Sequence, residues 1–499
     1  MATNFKTKQL ISKKLLKITT LRAGTTANIT TDKTLEKVLG GTTTVGEIDL
    51  ERAGELVIVS GNCQTKIMCM DEAKNYFAVD AEIALNERLQ FSSVADNLYG
   101  VPVVKETLVK KAGANLVDVT VVVELSIFGL GAEEITFASA GTEDFIEKTE
   151  TLSFDELVGV ANSKFMVEED ATINDKIDDI LAVTDTVILN KITPATNYVL
   201  LEGEVVKDLC YNADGAIKQT TKTIDFAEEI ALLNTMPEDK VFVELRSVGG
   251  VALPTVDETG TRTTLHLTSE LLAVVITKRE TTEESVVDMF NLNQNVKLSS
   301  ECIYNTKFKK MLNISERDNA VVDTASQKRM DEILHLSKPV LTVLSTNANG
   351  STVNIAGNAS VEVLYKNYDA DEIISANLEF PFNLSSIFSE DLQNYEIAEK
   401  LDARIIGYKN RAGKDLNLSL EFAGTLSLDQ TSYDCFVNSV TEGEPVKLPK
   451  GSLTIYFAKE GESLFDIAKA LRISPDSLAC QNPSYTDGEA GKLVVYRTK

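Results

Sequence analysis

The sequence predicts a mainly β, multidomain protein. We expect three homologous β-rich units with a sandwich-like or barrel-like fold, followed by a small C-terminal α+β domain of order β-α-α-β. The chain has 499 residues, too many for one hydrophobic core. A glycine-centred apolar pattern occurs three times, and a compact segment with two helical signatures follows the third copy.

The recurring pattern is centred on Gly61, Gly203 and Gly357, in LVIVSGNCQTKIMCM, YVLLEGEVVKDLCYN and TVNIAGNASVEVLYK. Apolar residues stand at even offsets on both sides of each glycine. Such residues lie on one face of an extended chain, so each copy predicts a long strand buried on one face. A glycine inside a strand is typical of a bulge or a sharp bend.

Each copy has similar neighbours. A polar turn and a second apolar strand follow it, at 77–85, 221–226 and 374–380, and a closing strand pair comes later, starting near Asn115, Thr264 and Leu416. Before each copy, apolar residues at i, i+3 and i+4 predict a short helix. These residues are Leu35, Val38 and Leu39, then Ile177, Ile180 and Leu181, then Met330, Ile333 and Leu334.

These signals predict a division of the chain into an N-terminal extension, three units, a linker and a terminal domain. Each unit is long enough for a core of its own, so we interpret the recurrence as domain duplication and not as a short-repeat solenoid. The predicted ranges are 1–30 for the extension, 31–170, 171–320 and 321–445 for the units, 446–452 for the linker, and 453–499 for the terminal domain.

The composition bears on partners and location. The formal net charge is −26, which disfavours binding to nucleic acid and to anionic lipid. No secretory signal and no membrane-spanning run is visible, so we expect a cytoplasmic protein. The six cysteines are scattered without a CxxC pair, and we expect them to be reduced and mostly buried.

No catalytic constellation is visible in the sequence. The two histidines, His266 and His335, lie in different units and are interpreted as structural. Metalloprotease, hydrolase and nucleotide-binding motifs are missing. The acidic clusters at 168–170 and 369–372 are interpreted as solvated loop charge, although paired carboxylates also occur in acid–base sites and calcium sites. We therefore expect no enzyme activity, no catalytic residues, no cofactor and no metal.

The three copies resemble the SPOCS domain, a family found in spore coat and envelope morphogenesis proteins. The resemblance rests on the apolar-x-apolar-x-Gly strand, the preceding Ile-Leu pair, and the tyrosine that follows, Tyr211 or Tyr365. It covers about residues 31–445. The first copy departs from it with Cys69 in place of the tyrosine, and the third lacks the acidic tail VVDMFN that follows the second.

The C-terminal segment resembles LysM, the lysin motif. Ser463 and Ser474 have the character of helix N-caps, with Asp466 in position for a capping box and Pro475 at a first helical position. The resemblance extends to GESL, IA, IS, NP and GKLVV. Lys492 and Ala490 replace the usual glutamine and proline.

The LysM resemblance implies a shallow groove for glycans that contain N-acetylglucosamine. Backbone amides and small side chains would bind the acetamido groups, and Tyr485 would cover a sugar face. The candidate groove residues are Gly461, Glu462, Ser463, Leu464, Ile473, Ser474, Pro475, Gln481, Asn482, Pro483 and Tyr485.

Three hypotheses of function follow. SPOCS copies with a terminal LysM are similar to SipL-like spore morphogenesis proteins, which implies a non-enzymatic adaptor of spore coat and cortex assembly, at the surface of the forming spore in the mother-cell cytoplasm. Its partner would be a coat or envelope protein. The alternative is a peptidoglycan-binding wall attachment protein with a β-repeat stalk. A wall hydrolase with an unrecognised site is the third and least favoured.

Overall fold

The computed structural model describes residues 6–90, 96–140, 145–258, 261–411, 414–447 and 451–497. These residues form β-strands over most of their length, with two short helices close to the C-terminal end. The predicted mainly β fold class is therefore confirmed. No helix in the described ranges is long and apolar enough to cross a membrane.

The strands fall into three successive groups with the same antiparallel topology, here called the first, second and third units. The first unit contains β1 (Lys6–Thr30), β2 (Leu35–Ala53), β3 (Leu56–Asp71), β4 (Tyr76–Gln90), β5 (Asp96–Gly113) and β6 (Leu116–Ala140). Its two sheets have the orders β2-β3-β4 and β1-β6-β5. Their facing side chains, among them Ile67, Ile83 and Val121, form one buried core. The unit is thus a sandwich of two three-stranded sheets.

The second and third units have the same connections. The second contains β7 (Phe145–Ile173), β8 (Asp179–Ala195), β9 (Tyr198–Ala213), β10 (Ala216–Ala231), β11 (Lys240–Val256) and β12 (Thr263–Asn291). The third contains β13 (Gln294–Asp323), β14 (Glu332–Leu336), β15 (Val340–Asn349), β16 (Thr352–Asn367), β17 (Glu372–Ile387), β18 (Glu396–Arg411) and β19 (Asp415–Pro445). Here β14 and β15 together take the place of a single second strand beside β16.

The three glycine-centred segments are the central strands β3, β9 and β16, and the strands that follow them, β4, β10 and β17, pair with them as expected. The expected bulge lies elsewhere. Gly61, Gly203 and Gly357 pair regularly with the following strand, and the register shift lies on the preceding strand, opposite each glycine. Each bulge pushes backbone towards the central strand, so a residue without a Cβ is needed there.

The helices predicted before each central strand are wrong. Val38 lies in β2, Ile180 in β8 and Ile333 in β14, all of them strands. Each strand carries a bulge close to these residues, and one extra residue makes positions three apart share a face. A bulged strand therefore imitates the i, i+3 spacing of a helix.

The strand pairing groups the chain differently from the expected division at 31, 171 and 321. β1 lies inside the expected N-terminal extension, and the other two boundaries fall within β7 and β13. Each of these strands pairs along its length with the last strand of the unit that it begins. The pairing therefore groups the strands as 6–140, 145–291 and 294–445, and of the expected linker the structure describes only 446, 447, 451 and 452.

The three units meet in a shared apolar cluster, here called the hub. Equivalent positions of the three units contribute to it: Leu39, Leu181 and Leu334 before the central glycines, and Met68, Cys210 and Leu364 after them. Polar contacts around the hub join all three pairs of units. Asn212 Nδ2 of the second unit donates to the Tyr76 carbonyl of the first at 3.0 Å. Gln219 Nε2 of the second unit donates to the Leu334 carbonyl at 3.1 Å, and Lys37 of the first donates to a carbonyl of the third. The three units therefore form a ring with approximate three-fold symmetry.

The long first and last strands of each unit continue beyond their sheets as two-stranded ribbons. The ribbon segments pair 6–14 with 131–140, 145–156 with 279–291, and 294–307 with 430–445. Side chains from all three ribbons pack together, and the rings of Phe137 and Phe436 lie 6.0 Å apart. We call this three-ribbon bundle the stalk.

The chain ends in the predicted order β-α-α-β. The elements are β20 (Leu453–Ala458), α1 (Leu464–Leu471), α2 (Pro475–Gln481) and β21 (Gly491–Tyr496), here called the terminal module. Its core contains Ile467, Ala468, Leu478 and Leu493. Phe290 of β12 belongs to the same cluster, so the module packs on the end of the stalk.

The expectation that all six cysteines are reduced is wrong for two of them. Cys302 and Cys435 face each other across β13 and β19 in the stalk and form an exposed disulfide. Cys63, Cys69 and Cys210 are free and buried, as expected, and Cys480 is free and exposed. The two cysteines are 133 residues apart in the sequence, so local patterns did not indicate that their strands pair.

Candidate functional site

Two loops of the terminal module come together, as the predicted groove requires. The Gly461 N–H donates to the Gly488 carbonyl at 2.8 Å, and the Tyr485 hydroxyl donates to the Glu462 carbonyl at 3.4 Å. The Leu464 N–H donates to the carboxylate of Asp487. Gly461 has a φ of +81°, which favours glycine at this turn. These contacts occupy two backbone N–H groups and two carbonyls of the loops within the module.

The two predicted helix caps are confirmed. The Ser463 hydroxyl accepts from the Asp466 N–H at 3.2 Å, and the Asp466 carboxylate accepts from the Ser463 N–H at 3.3 Å, which completes a capping box. The Ser463 hydroxyl also donates to the Asp466 carboxylate at 2.6 Å, and this bond, together with the one from the Ser463 N–H, holds the pKa of Asp466 below its usual range. Ser474 caps α2 by accepting from the Ser477 N–H at 3.2 Å, with Pro475 at the first turn.

The amides of Gln481 and Asn482 hold β21 in place. Asn482 Oδ1 accepts from the Val494 N–H at 2.7 Å, and its Nδ2 donates to the Val494 carbonyl at 2.9 Å. Gln481 Oε1 accepts from the Tyr496 N–H at 2.6 Å. Both side chains therefore form hydrogen bonds with the edge of β21 that a neighbouring strand would otherwise form. We infer a structural role for them.

The remaining candidate residues divide between the core and the surface. Leu464 and Ile473 are partly buried and pack against the module core, while Pro483 is exposed. The Glu462 carboxylate accepts hydrogen bonds from the Tyr456 hydroxyl and the Lys459 N–H, and these bonds lower its pKa. The candidate set is thus brought together around the two loops, with most of its polar groups already bonded within the module.

An exposed apolar surface lies on the other face of the module, and the sequence reasoning missed it. Leu453, Ile455 and Phe457 alternate along β20, with Tyr496 paired to Leu453 across the sheet. Their exposed fractions are 55%, 48%, 71% and 62%. We call these four residues the apolar strip. The signal was visible in LTIYFA, a strand with apolar residues on both faces although the helices cover only one.

The apolar strip points away from the stalk because α1 makes the stalk contact. The rings of Phe465 and Phe290 meet edge to face at 5.4 Å. Lys469 pairs with both oxygens of Asp288 at 2.6 Å, and Arg472 Nη1 donates to the Asn291 carbonyl at 2.7 Å. The strip is therefore presented at the end of the stalk. An apolar surface of this kind is typical of protein–protein contacts.

The two histidines occupy different environments. His266 is exposed, and its Nδ1 lies 2.8 Å from Asp170 within the 168–170 acidic cluster. His335 lies at the hub, where its Nδ1 is 3.2 Å from Gln219 Nε2. The other acidic cluster, 369–372, lies at the turn between β16 and β17, where Glu372 pairs with Lys328 at 2.7 Å. In the described part of the chain, no group of three or more side chains is arranged to hold a metal ion.

A family model matches part of the second unit. The family model described as SipL, SPOCS domain matches residues 176–248. This segment spans β8, β9 and β10 and about half of β11, and it includes Gly203. Comparisons with curated proteins and with solved structures gave no match. The match supports a relationship of this part of the chain to the SPOCS family, and so a protein related to sporulation.

Proposed function

We propose that this protein is a non-enzymatic structural adaptor of spore envelope assembly, which joins coat and cortex layers. The ring of three units and the stalk act as a rigid scaffold, and the terminal module acts as its docking head. The observation that carries this proposal is the apolar strip, exposed at the end of the stalk. The SPOCS match supplies the sporulation context.

The terminal module is, in this proposal, a LysM-type domain that binds a coat or envelope protein. Its β-α-α-β order and its two serine caps support the LysM assignment. Protein binding is favoured over glycan binding because Leu453, Ile455 and Phe457 offer apolar area. The amides of Gln481 and Asn482 already bond to β21.

The alternative is a module that binds peptidoglycan or another glycan with N-acetylglucosamine. One observation favours it: the loops at 461–464 and 482–488 lie together, with Tyr485 at their junction. A single shallow groove buries little area, so such a site would bind weakly without further copies.

The location belongs to the same proposal. An adaptor with these features would act in the mother-cell cytoplasm and gather at the surface of the forming spore. The net charge of −26 suits a neutral or basic partner and disfavours nucleic acid.

The test compares full-length F457S with the wild type. Phe457 is 71% exposed, so serine is expected to leave the fold intact, and L344S in the third unit is the matched control at 69%. Purified coat basement-layer proteins and purified peptidoglycan serve as separate probes. We expect F457S to bind a coat protein roughly tenfold or more weakly, from the loss of one buried aromatic contact.

Two outcomes would contradict this proposal. One is equal binding of a coat protein by F457S and the wild type. The other is retention on peptidoglycan that is unchanged in F457S and lost in Y485A. This result would show that the module binds a glycan through the loop at Tyr485. Substitution of Asn482 does not separate the two readings, since its amide holds β21 and its loss would disturb the fold.

A further inference from the structure

One side of the β20 backbone faces away from β21. The Val494 N–H and carbonyl both bond to the Asn482 amide, so they point away from β20. In an antiparallel pair, the backbone groups of two facing residues point either towards each other or both outwards. Ile455, which faces Val494, therefore directs its N–H and carbonyl away from β21. The Arg497 N–H donates to the Ser452 carbonyl at 3.0 Å, in the alternate phase, as this assignment requires.

The outward backbone of β20 is an open edge. Leu453 and Phe457 lie two positions from Ile455, so their N–H and carbonyl groups point the same way. In the described part of the chain, these outward groups form no hydrogen bond, and no strand or helix other than β21 packs along β20. We call the outward backbone of these three residues the β20 edge. Their side chains belong to the apolar strip, on the adjoining face of the sheet.

The β20 edge lacks the features that usually protect a sheet edge. Natural proteins commonly block an edge strand with a charged residue, a proline or a bulge, because an unpaired strand can pair with another chain. Leu453–Ala458 contains no charged residue and no proline, and its register with β21 is regular. The described edge strands of the three units each carry such a feature, for example Asp225 in β10 or the bulge after Val343 in β15. The β20 edge is therefore suited to accept another strand.

The β20 edge is complementary to itself about Ile455. In a two-fold antiparallel arrangement, Ile455 would face Ile455 of a second copy, and Leu453 would face Phe457 of the second copy. Each facing pair would exchange both of its backbone hydrogen bonds. No like charges would meet along the edge, because β20 is uncharged. The segment 451–499 has six basic and six acidic residues, so two terminal modules can approach although the whole chain carries a charge of −26.

We propose that two copies of this chain pair through their β20 edges and so join their terminal modules in one four-stranded sheet. Facing side chains of a strand pair lie on the same face of the sheet, so the two apolar strips would lie side by side. The dimer would then present one continuous apolar surface to the partner of the proposed docking head. The contact is short, and we expect a weak, reversible dimer in the micromolar range. The pairing itself does not depend on the proposed function.

Sedimentation velocity of the full-length protein across the micromolar range tests the pairing. We expect the wild type to change from monomer to dimer as its concentration rises, and to stop at the dimer because each copy has one β20 edge. I455P removes the outward N–H at the centre of the edge and leaves the β20–β21 hydrogen bonds in place, so it is expected to weaken dimerisation roughly tenfold or more. The matched control is I455T, which keeps the N–H and a β-branched side chain and is expected to dimerise like the wild type.

Hydrogen exchange of the wild type gives a second readout, which holds whether or not I455P folds. The amides of Leu453, Ile455 and Phe457 should exchange more slowly as the protein concentration rises. The amides of Thr454 and Tyr456 point towards β21 and should exchange slowly at every concentration. This alternation distinguishes pairing at the β20 edge from a dimer formed elsewhere.

Three results would overturn the proposal: a wild type that stays monomeric throughout, equal dimerisation of I455P and I455T, and growth beyond the dimer. Slower exchange at 453, 455 and 457 only after a coat protein is added would also overturn it, because the edge would then belong to a strand of that partner. Dimerisation is measured without a coat protein, and F457S keeps its outward N–H and is expected to dimerise. A failure here is therefore distinguishable from a failure of the proposed docking head.

Discussion

At the scale of single residues, the glycines of the central strands show how far sequence reasoning reaches. The spacing around Gly203 and Gly357 identified the strands, but the expected bulge lies on the neighbouring strand. A Cβ at Gly203 would lie 2.3 Å from the Ile188 carbonyl oxygen, and one at Gly357 would lie 2.3 Å from the Thr342 oxygen. The sequence shows that these positions are glycine, while the reason depends on a partner strand whose bulge cannot be seen locally.

G203A is therefore expected to destabilise the second unit. The added methyl group would meet backbone and the Phe226 ring, which cannot both move away, and we expect a loss of about 2–3 kcal/mol in the free energy of unfolding. Urea unfolding measures this loss. G24A is the matched control, because nothing lies within 4 Å of a Cβ at Gly24. Equal stability of the two variants would contradict the close-approach explanation.

The hub histidine is the second residue-scale feature. His335 shares a water-sized cavity of about 20 Å³ with Leu39, Leu181, Lys66 and Glu362. Removal of its imidazole from water lowers its pKa from 6.5 to about 4. The folded protein thus holds this histidine neutral at pH values where the unfolded chain is already protonated.

The stability of the ring is therefore expected to fall as the pH drops from 6.5 towards 4. The sign follows from linkage: between these values the unfolded state binds the proton and the folded state does not. H335M removes the titrating group and should flatten this part of the pH profile of the thermal midpoint. H266M is the control, because His266 is exposed beside Asp170. A profile equally steep in H335M and the wild type would contradict this assignment.

At the scale of elements, one cause explains why the predicted helices were wrong and why the predicted central strands were confirmed. Adjacent apolar residues such as Ile180 and Leu181 point to opposite faces of β8, one into the core of the second unit and one into the hub. With both faces buried and a bulge at 180–182, the strand loses its period-two alternation. The central strands also contribute to the hub but have no bulge at the glycine. Their alternation of apolar residues was therefore recognisable in the sequence.

The stalk ribbon formed by β13 and β19 yields an element-scale prediction. The exposed disulfide between Cys302 and Cys435 joins its two strands. Its loss in C302S should destabilise the third unit by about 2–5 kcal/mol, because the unfolded chain regains the entropy that the cross-link removed.

Limited proteolysis measures the effect, with earlier cleavage expected in 294–307 or 430–445 of C302S. C480S is the control, since Cys480 is free and exposed. A protease pattern of C302S identical to that of the wild type, or alkylation of Cys302 in the unreduced wild-type protein, would show that the bond does not support the ribbon.

At the scale of the whole molecule, the sequence predicted the parts and not their arrangement. The order of the terminal module was readable because caps and helical spacing are local signals. The ring, the stalk and the docking of α1 on Asp288 depend on pairing and packing between distant segments. For the same reason β1, β7 and β13 were separated from the units that they complete. The candidate groove residues lie around two adjoining loops, and their role in binding a glycan stays a prediction. The apolar strip was missed because its exposure is a tertiary property.

The most direct test of the adaptor proposal is fluorescence microscopy of full-length fusions in sporulating cells. The account predicts that the wild type and L344S form a shell around the developing spore, and that F457S, present at the same level and folded, stays diffuse in the mother cell. A shell formed equally well by F457S would contradict the assignment of docking to the apolar strip. The lack of any shell for the wild type would contradict the envelope function.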